Sequence, residues 1–247
     1  MSASPQTPLR RVGHRGADLI APGNTRASFA AALAAGVDMI EFDVLAQRPL
    51  ATGTGSLQRG VRRLVLAHDY EHEPELTLAE GLDYLAGVAF AKVEFVVDLK
   101  LPGYELDVVA ALRERGLTQR VLIASTYRRS LRLLCREAPD LRLGWSVPNL
   151  RRDPFLNPLL LPAAASALYV ARAILPARAA AAISAGACDA LMAHWRLVTV
   201  RLVQAVERAG GELYVWTVDD VPRIHTLHAL GVTGVISNDP RLFAATM

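Results

Sequence analysis

The chain has 247 residues, room for one large domain, and is 52% hydrophobic and 21% charged, which leaves disorder only for its ends. A net charge of +3 and an isoelectric point near 9.1 suit an anionic substrate, yet the arginines are scattered with no basic run interleaved with aromatics, which argues against nucleic acid. Two isolated cysteines, Cys135 and Cys188, build no disulfide framework and fit buried free thiols in a cytoplasmic protein.

From the amino terminus, residues 1–8 (MSASPQTP) predict a loose tail without the apolar core of a secretory signal, followed by a single domain over residues 9–247. Short apolar, β-branched runs then alternate with longer Ala/Leu/Arg segments of helical period, the pattern of parallel strands joined by crossover helices. The runs lie near residues 10–13, 37–44, 93–99, 121–125, 141–146, 187–193, 212–217 and 234–237, eight in all. Helices are predicted to begin at Thr25, Thr77, Tyr104, Tyr127, Pro176, Val198 and Val221, several beside a residue able to cap an N-terminus. The Gly/Thr/Ser-rich stretch after Leu45 interrupts the alternation and predicts a loop leading into a short extra strand at RRLVLAHD. The apolar stretch from Phe155 to Ala193 is cut by Pro158, Pro162 and Pro176 and carries Arg172 and Arg178, so no transmembrane helix is expected from it. Eight strands alternating with seven helices predict an α/β fold, a (β/α)8 TIM barrel, over the competing open doubly wound sheet.

The polar residues that break the apolar runs cluster at one end of them. His14 follows RRVG, Glu41 and Asp43 close VDMIEFDV, Asp98 and Lys100 close VEFVVDLK, and Trp216 closes ELYVWTV. In a parallel barrel this carboxyl end is where the connecting loops converge and active sites lie. Residues two apart on a strand share a face, so Glu41 and Asp43 aim together, as do Asp98 and Lys100. Three converging carboxylates would repel one another in a poorly solvated site. A hard divalent cation would compensate them; the plainer alternative is that each pairs with a nearby arginine or lysine. His14 and His68 both end apolar runs, beside Arg15 and Asp69, and two histidines at one mouth with carboxylates suggest proton transfer. His72, His194, His225 and His228 lack such company, and the last two fall on a predicted helix.

The stretch GHRGADLIAPGNTRASFAAALAAGVDMIEFDV resembles the amino-terminal signature of the glycerophosphodiester phosphodiesterase family: HRG, then PENT, a helix, and an acidic E-x-D pair. AHD, VVDLK, YVWTVDD and GVTGVISNDP resemble its later motifs, in order. The resemblance implies metal-dependent hydrolysis of glycerophosphodiesters to sn-glycerol 3-phosphate and an alcohol. It implies His14 and His68 as the acid/base pair, and Glu41, Asp43 and Asp98 as ligands of a divalent ion, Mg2+ or Ca2+. Arg15 and Lys100 become phosphate-binding cations, and Trp216 lines the substrate pocket. The chain departs from the pattern in three places: Gly23 replaces the glutamate of PENT, Asp98 stands for a glutamate, and only residues 68–74 separate the second histidine motif from the next helix. The Asp–Lys strand and short loop also resemble the related sphingomyelinase D branch. These departures keep open phospholipase D-like or cyclising action on lysophospholipids, with transient contact at a membrane surface, and a degenerate member that binds without turnover.

Overall fold

A computed structural model describes residues 8–47, 63–71, 73–148 and 161–246. Among these residues the strands run β1 (Arg10–Gly13), β2 (Met39–Ala46), β3 (Leu64–Leu66), β4 (Glu94–Leu99), β5 (Val121–Ser125), β6 (Arg142–Val147), β7 (Ala190–His194), β8 (Glu212–Trp216) and β9 (Gly234–Ser237). All but β3 pair in parallel, and β1 bonds both β9, through Arg10↔Gly234 to Gly13↔Ser237, and β2, through Val12↔Met39. That double pairing closes the sheet into an eight-stranded barrel and removes the open alternative. The extra strand anticipated at RRLVLAHD is β3, antiparallel to β2 through Val44↔Leu66. The glycine-rich loop before it lies outside the described residues, as do residues 1–7 of the tail and most of the apolar segment 155–161.

Alternation along each strand sorts side chains into two cores. Val12, Met39, Val96, Leu122, Ala124, Ala190, Met192, Tyr214 and Ile236 fill the barrel interior. Their neighbours one residue along, such as Ile40, Phe42, Phe95, Val97 and Leu213, face outward under the helices. Phe42 stands between Phe29 of α1 (Arg26–Ala34) and Phe95 of β4, with ring centroids 6.1 and 6.4 Å apart, seaming helix to sheet.

The remaining helices are α2 (Leu78–Leu85), α3 (Glu105–Glu114), α4 (Arg128–Glu137), α5 (Leu161–Ser184), α6 (Val200–Arg208) and α7 (Val221–Leu230). Thr25 and Thr77 cap α1 and α2 by reciprocal bonds with Ser28 and Glu80, satisfying amides that the first turn leaves unpaired. Asp220 caps α7 at the expected place, and α6 starts two residues later than Val198, behind the cap of Thr199. The helix expected from Pro176 instead starts by Leu161 and carries Pro176 inside it. Pro176 breaks no more than the bond to its own missing N–H, and the burial of Leu175, Ala179, Ala182 and Ile183 against the barrel outweighs that loss. Against the expectation of no transmembrane helix stands one marginal case among the described residues: α5, with 24 residues, is long and apolar enough to cross a membrane by length and composition alone. Both cysteines are free, but only Cys188 is buried; Cys135 is half-buried, its thiol facing the carbonyls of Gly186 and Ala187 at 3.6 Å.

Candidate active site

The loop after β1 carries most of the site and is tightly determined. Arg15 (φ 48°) and Asn24 (φ 61°) both occupy the left-handed region, which an L side chain adopts only where its surroundings compel it. Here the compulsion is visible: the Asn24 amide donates to the Arg15 carbonyl (2.9 Å), the Ser28 hydroxyl donates to the same carbonyl (2.8 Å), and the Gly16 amide donates to the Glu41 carbonyl (3.1 Å). Gly16 is itself left-handed (φ 89°), and a Cβ there would lie 2.6 Å from the Ser28 backbone, so HRG requires its glycine. The turn aims the Arg15 amide at Glu41 Oε2, 2.8 Å away.

The structure brings six of the eight sequence-predicted residues together at the carboxyl end of the barrel. Oxygens of Glu41, Asp43 and Asp98 lie within 4.8 Å of one another. Asp43 is fully buried and sits between two cations, Lys100 Nζ at 2.6 Å from Oδ1 and Arg15 Nε at 3.1 Å from Oδ2. Asn24 brackets it, donating through Nδ2 to Oδ2 (2.9 Å) and accepting the Asp43 amide on Oδ1 (3.0 Å). Lys100 also donates to Asp98 Oδ2 at 2.5 Å. His14 places Nε2 3.9 Å from Glu41 Oε2.

These contacts set the charges. Burial works against the Asp43 anion, but Lys100 and then Arg15 outweigh it and hold its carboxyl below the usual range. Burial likewise disfavours the Lys100 ammonium, and Asp43, Asp98 and Glu41 together raise its pKa nonetheless. Glu41 is the frustrated member: burial, and then the neighbouring Asp43 anion, push its carboxyl well above the ordinary value. Burial, and then Arg15, push the His14 imidazole down, so it is neutral near pH 7. Its tautomer follows from its partner. Asn238 turns its Nδ2 to Asp219 Oδ2 (2.7 Å), which leaves Asn238 Oδ1 facing His14 Nδ1 at 2.5 Å. Nδ1 therefore carries the proton, and the lone pair of Nε2 faces the carboxylates.

The other two residues stand further out. His68 lies on the rim, its side chain 46% exposed and its Nδ1 3.2 Å from Asp69, and reaches the cluster through its electrostatic effect on Asp43. Trp216 ends β8, packs against the interior core, and meets His194 edge-on at 5.3 Å; its indole N–H is buried without a partner among the described residues. His194 was expected to lack company at the site, but β7 and β8 pair His194↔Trp216, which puts it on the inner face at the mouth. Sequence reasoning missed Asn24, Asp219 and Asn238 as well. All three lie inside stretches singled out as motifs, but the contact of His14 with Asn238, which Asp219 orients in turn, joins residues 224 positions apart and has no local signature.

The three carboxylates fit a hard divalent cation: all donors are oxygen, and three carboxylates face two cations, Arg15 and Lys100.

A family model described as "Glycerophosphoryl diester phosphodiesterase family" matches residues 14–48 and 76–242. A glycerophosphodiester phosphodiesterase of Caldanaerobacter subterraneus is 23% identical, covering 93% of this chain and 93% of its own. Among solved structures, a glycerophosphodiester phosphodiesterase from Parabacteroides distasonis superposes with a TM-score of 0.68 at 16% identity, covering 97% of this chain and 100% of its own. An Oleispira antarctica phosphodiesterase, solved with the product sn-glycerol-3-phosphate, gives 0.64 at 19% identity over 95% of this chain and 94% of its own. The closed barrel, the acidic mouth and the family match agree: this chain belongs to the glycerophosphoryl diester phosphodiesterase family, hydrolases that act on phosphodiesters.

Proposed function

We propose that the chain hydrolyses glycerophosphodiesters to sn-glycerol 3-phosphate and an alcohol, using Mg2+ or Ca2+ held by Glu41, Asp43 and Asp98. The observation that supports this most directly is the convergence of those carboxylates with a buried His14 whose Nε2 lone pair faces them. When bound, the cation polarises the phosphoryl group and stabilises charge on its oxygens. Arg15 and Lys100 hold the diester beside it, adding fixed positive charge in a water-poor mouth. His14 Nε2 accepts the proton of the attacking water as oxygen bonds to phosphorus. His68 gives a proton to the departing alkoxide, and Trp216 walls the glycerol side.

One observation favours a second reading, action on lysophospholipids at a membrane surface. Leu161, Tyr169, Val170 and Ile174 of α5 are exposed, and the Arg172 guanidinium donates to the Arg196 carbonyl (2.7 Å) in the turn after β7, which sets this half of the helix at the mouth. Phosphorus NMR on glycerophosphocholine and on a lysophosphatidylcholine, each with Mg2+ or Ca2+, separates the readings by product and preference. The expected result is sn-glycerol 3-phosphate from the soluble diester, abolished by EDTA. His14→Asn and His68→Asn should each lower kcat by about 100-fold or more with metal affinity nearly unchanged. A His68→Asn variant of full activity would take His68 out of the reaction; no turnover of either substrate would leave a binder.

A further inference from the structure

The carboxylate that the sequence reading counted as lost at Gly23 has a counterpart from another position. Asp18 lies in the loop after β1, and its two oxygens have different tasks: Oδ1 accepts the Gly23 amide (2.9 Å) and Oδ2 faces Arg15 Nη1 (3.2 Å). The seat exists because residue 23 has no side chain. A Cβ built there would lie 2.5 Å from Asp18 Oδ1, 2.9 Å from its Cγ and 2.8 Å from Arg15 Cβ. Any side chain at 23 must expel the Asp18 carboxylate and press on Arg15 Cβ.

The consequence falls on Arg15. Asp43 Oδ2 lies 3.1 Å from Nε as an ion pair without hydrogen-bond alignment, and Asp18 accepts the hydrogen bond of Nη1 (3.2 Å), so Asp18 supplies the directional contact that orients the guanidinium. Nη2 has no acceptor among the described residues. A planar fork drawn to Asp43 at one edge and hydrogen-bonded to Asp18 at another presents Nη2 in a restricted direction, and a phosphate oxygen is the acceptor a guanidinium suits best. With Asp43 alone, the guanidinium could turn about that contact, and part of the affinity for phosphate would go into ordering it.

We infer that Asp18, seated by Gly23, is a positioning residue that aims Arg15 at the substrate phosphate, and that Asp18 and Gly23 act as a unit. This rests on the reading of Arg15 as a phosphate-binding cation. It is tested by calorimetry of sn-glycerol 3-phosphate binding with Mg2+ present, and by steady-state kinetics on glycerophosphocholine. Asp18→Asn should raise both Kd and KM about tenfold while kcat changes less than about threefold. Gly23→Ala should do at least as much with the Asp18 charge retained, because its methyl displaces the Asp18 carboxylate and presses on Arg15 Cβ. In Asp18→Ala/Gly23→Glu, a carboxylate returns from position 23 with only the Arg15 Cβ contact left to relax, and part of the affinity lost in Asp18→Ala should return with it, which a purely structural role for Asp18 would not produce. Arg15→Ala is the reference. If Arg15→Ala loses affinity while Asp18→Asn binds as the wild type does, Arg15 needs no such clamp and the inference fails alone. If Arg15→Ala keeps its affinity, the phosphate-binding role of Arg15 fails and the inference with it. A lower melting temperature in Asp18→Asn with Kd and KM unchanged would reduce Asp18 to loop stability.

Discussion

Both ends of the barrel carry a cluster of charged side chains, and only one has the makings of a catalyst. At the amino ends of the strands, Arg10 pairs with Glu94, and Arg142 pairs with Glu94 (3.2 Å) and Glu212 (2.5 Å). Tyr214 donates to Glu212 (3.1 Å), its phenol pushed up to about 12 by burial and by that carboxylate. Two guanidinia meet two carboxylates, and the plug is neutral. At the carboxyl ends three carboxylates meet Arg15 and Lys100, with Glu41 driven toward its protonated form. Ion pairs in a barrel are therefore weak evidence of function by themselves. What marks the mouth is charge that the protein leaves uncompensated, at the end where the loops converge.

The comparison breaks most sharply under matched substitutions. Asp43→Asn removes the carboxylate that Lys100, Arg15 and Asn24 share, and should lower kcat/KM by about a thousandfold or more and weaken calorimetric Mg2+ binding. Glu94→Gln deletes a charge of the same sign at the other end, and should leave kcat/KM within about threefold. Equal losses in the two variants would mean that the ends do not differ in kind.

How far this contrast could be read in advance depends on the range of each interaction. Strand-end position and the two-residue period are local, so Glu41, Asp43, Asp98 and Lys100 could be placed on one inner face without coordinates. Caps are local too, which is why Thr25, Thr77 and Val221 marked helix starts well. Pro176 misled because its local penalty is small beside the burial of a long helix on the barrel, a tertiary quantity. Closure itself, β1 against β9, and the contact of Asn238 with His14 join the two ends of the chain, and a periodic pattern carries no record of them.

A subtler break leaves the metal ligands intact. Because burial and Arg15 lower the His14 pKa, its neutral form persists to lower pH than an ordinary histidine's, and kcat/KM should fall on acidification only below about 6.5. Asn238→Asp combined with Asp219→Asn replaces the neutral acceptor at Nδ1 with an anion that favours imidazolium, the second change removing the carboxylate that Asn238 Nδ2 meets at 2.7 Å. The acid limb should then move up by about one pH unit, lowering kcat/KM by roughly ten-fold on that limb. A limb that stays in place would show that His14 does not carry the base.

The smallest effect is expected at the plug, and in stability alone. Arg142→Met removes the cation shared by Glu94 and Glu212 and leaves Arg10 with Glu94. Were the pairs fully buried, stranding a carboxylate would cost about 3–5 kcal/mol; were they fully exposed, under about 1 kcal/mol. The side chains of Arg142, Glu94 and Glu212 are 36%, 29% and 35% exposed, so solvent screens much of the interaction. A loss of about 1–2 kcal/mol follows, a fall of about 2–8 °C in Tm for a domain of this size, with kcat/KM unchanged. The methionine's apolar chain recovers some packing against the barrel floor, which places the expectation nearer the lower figure. Scanning calorimetry and the diesterase assay on one preparation check both halves. A variant that melts like the wild type but has lost activity would show that the floor of the barrel governs its mouth, and the distinction between the two ends would collapse.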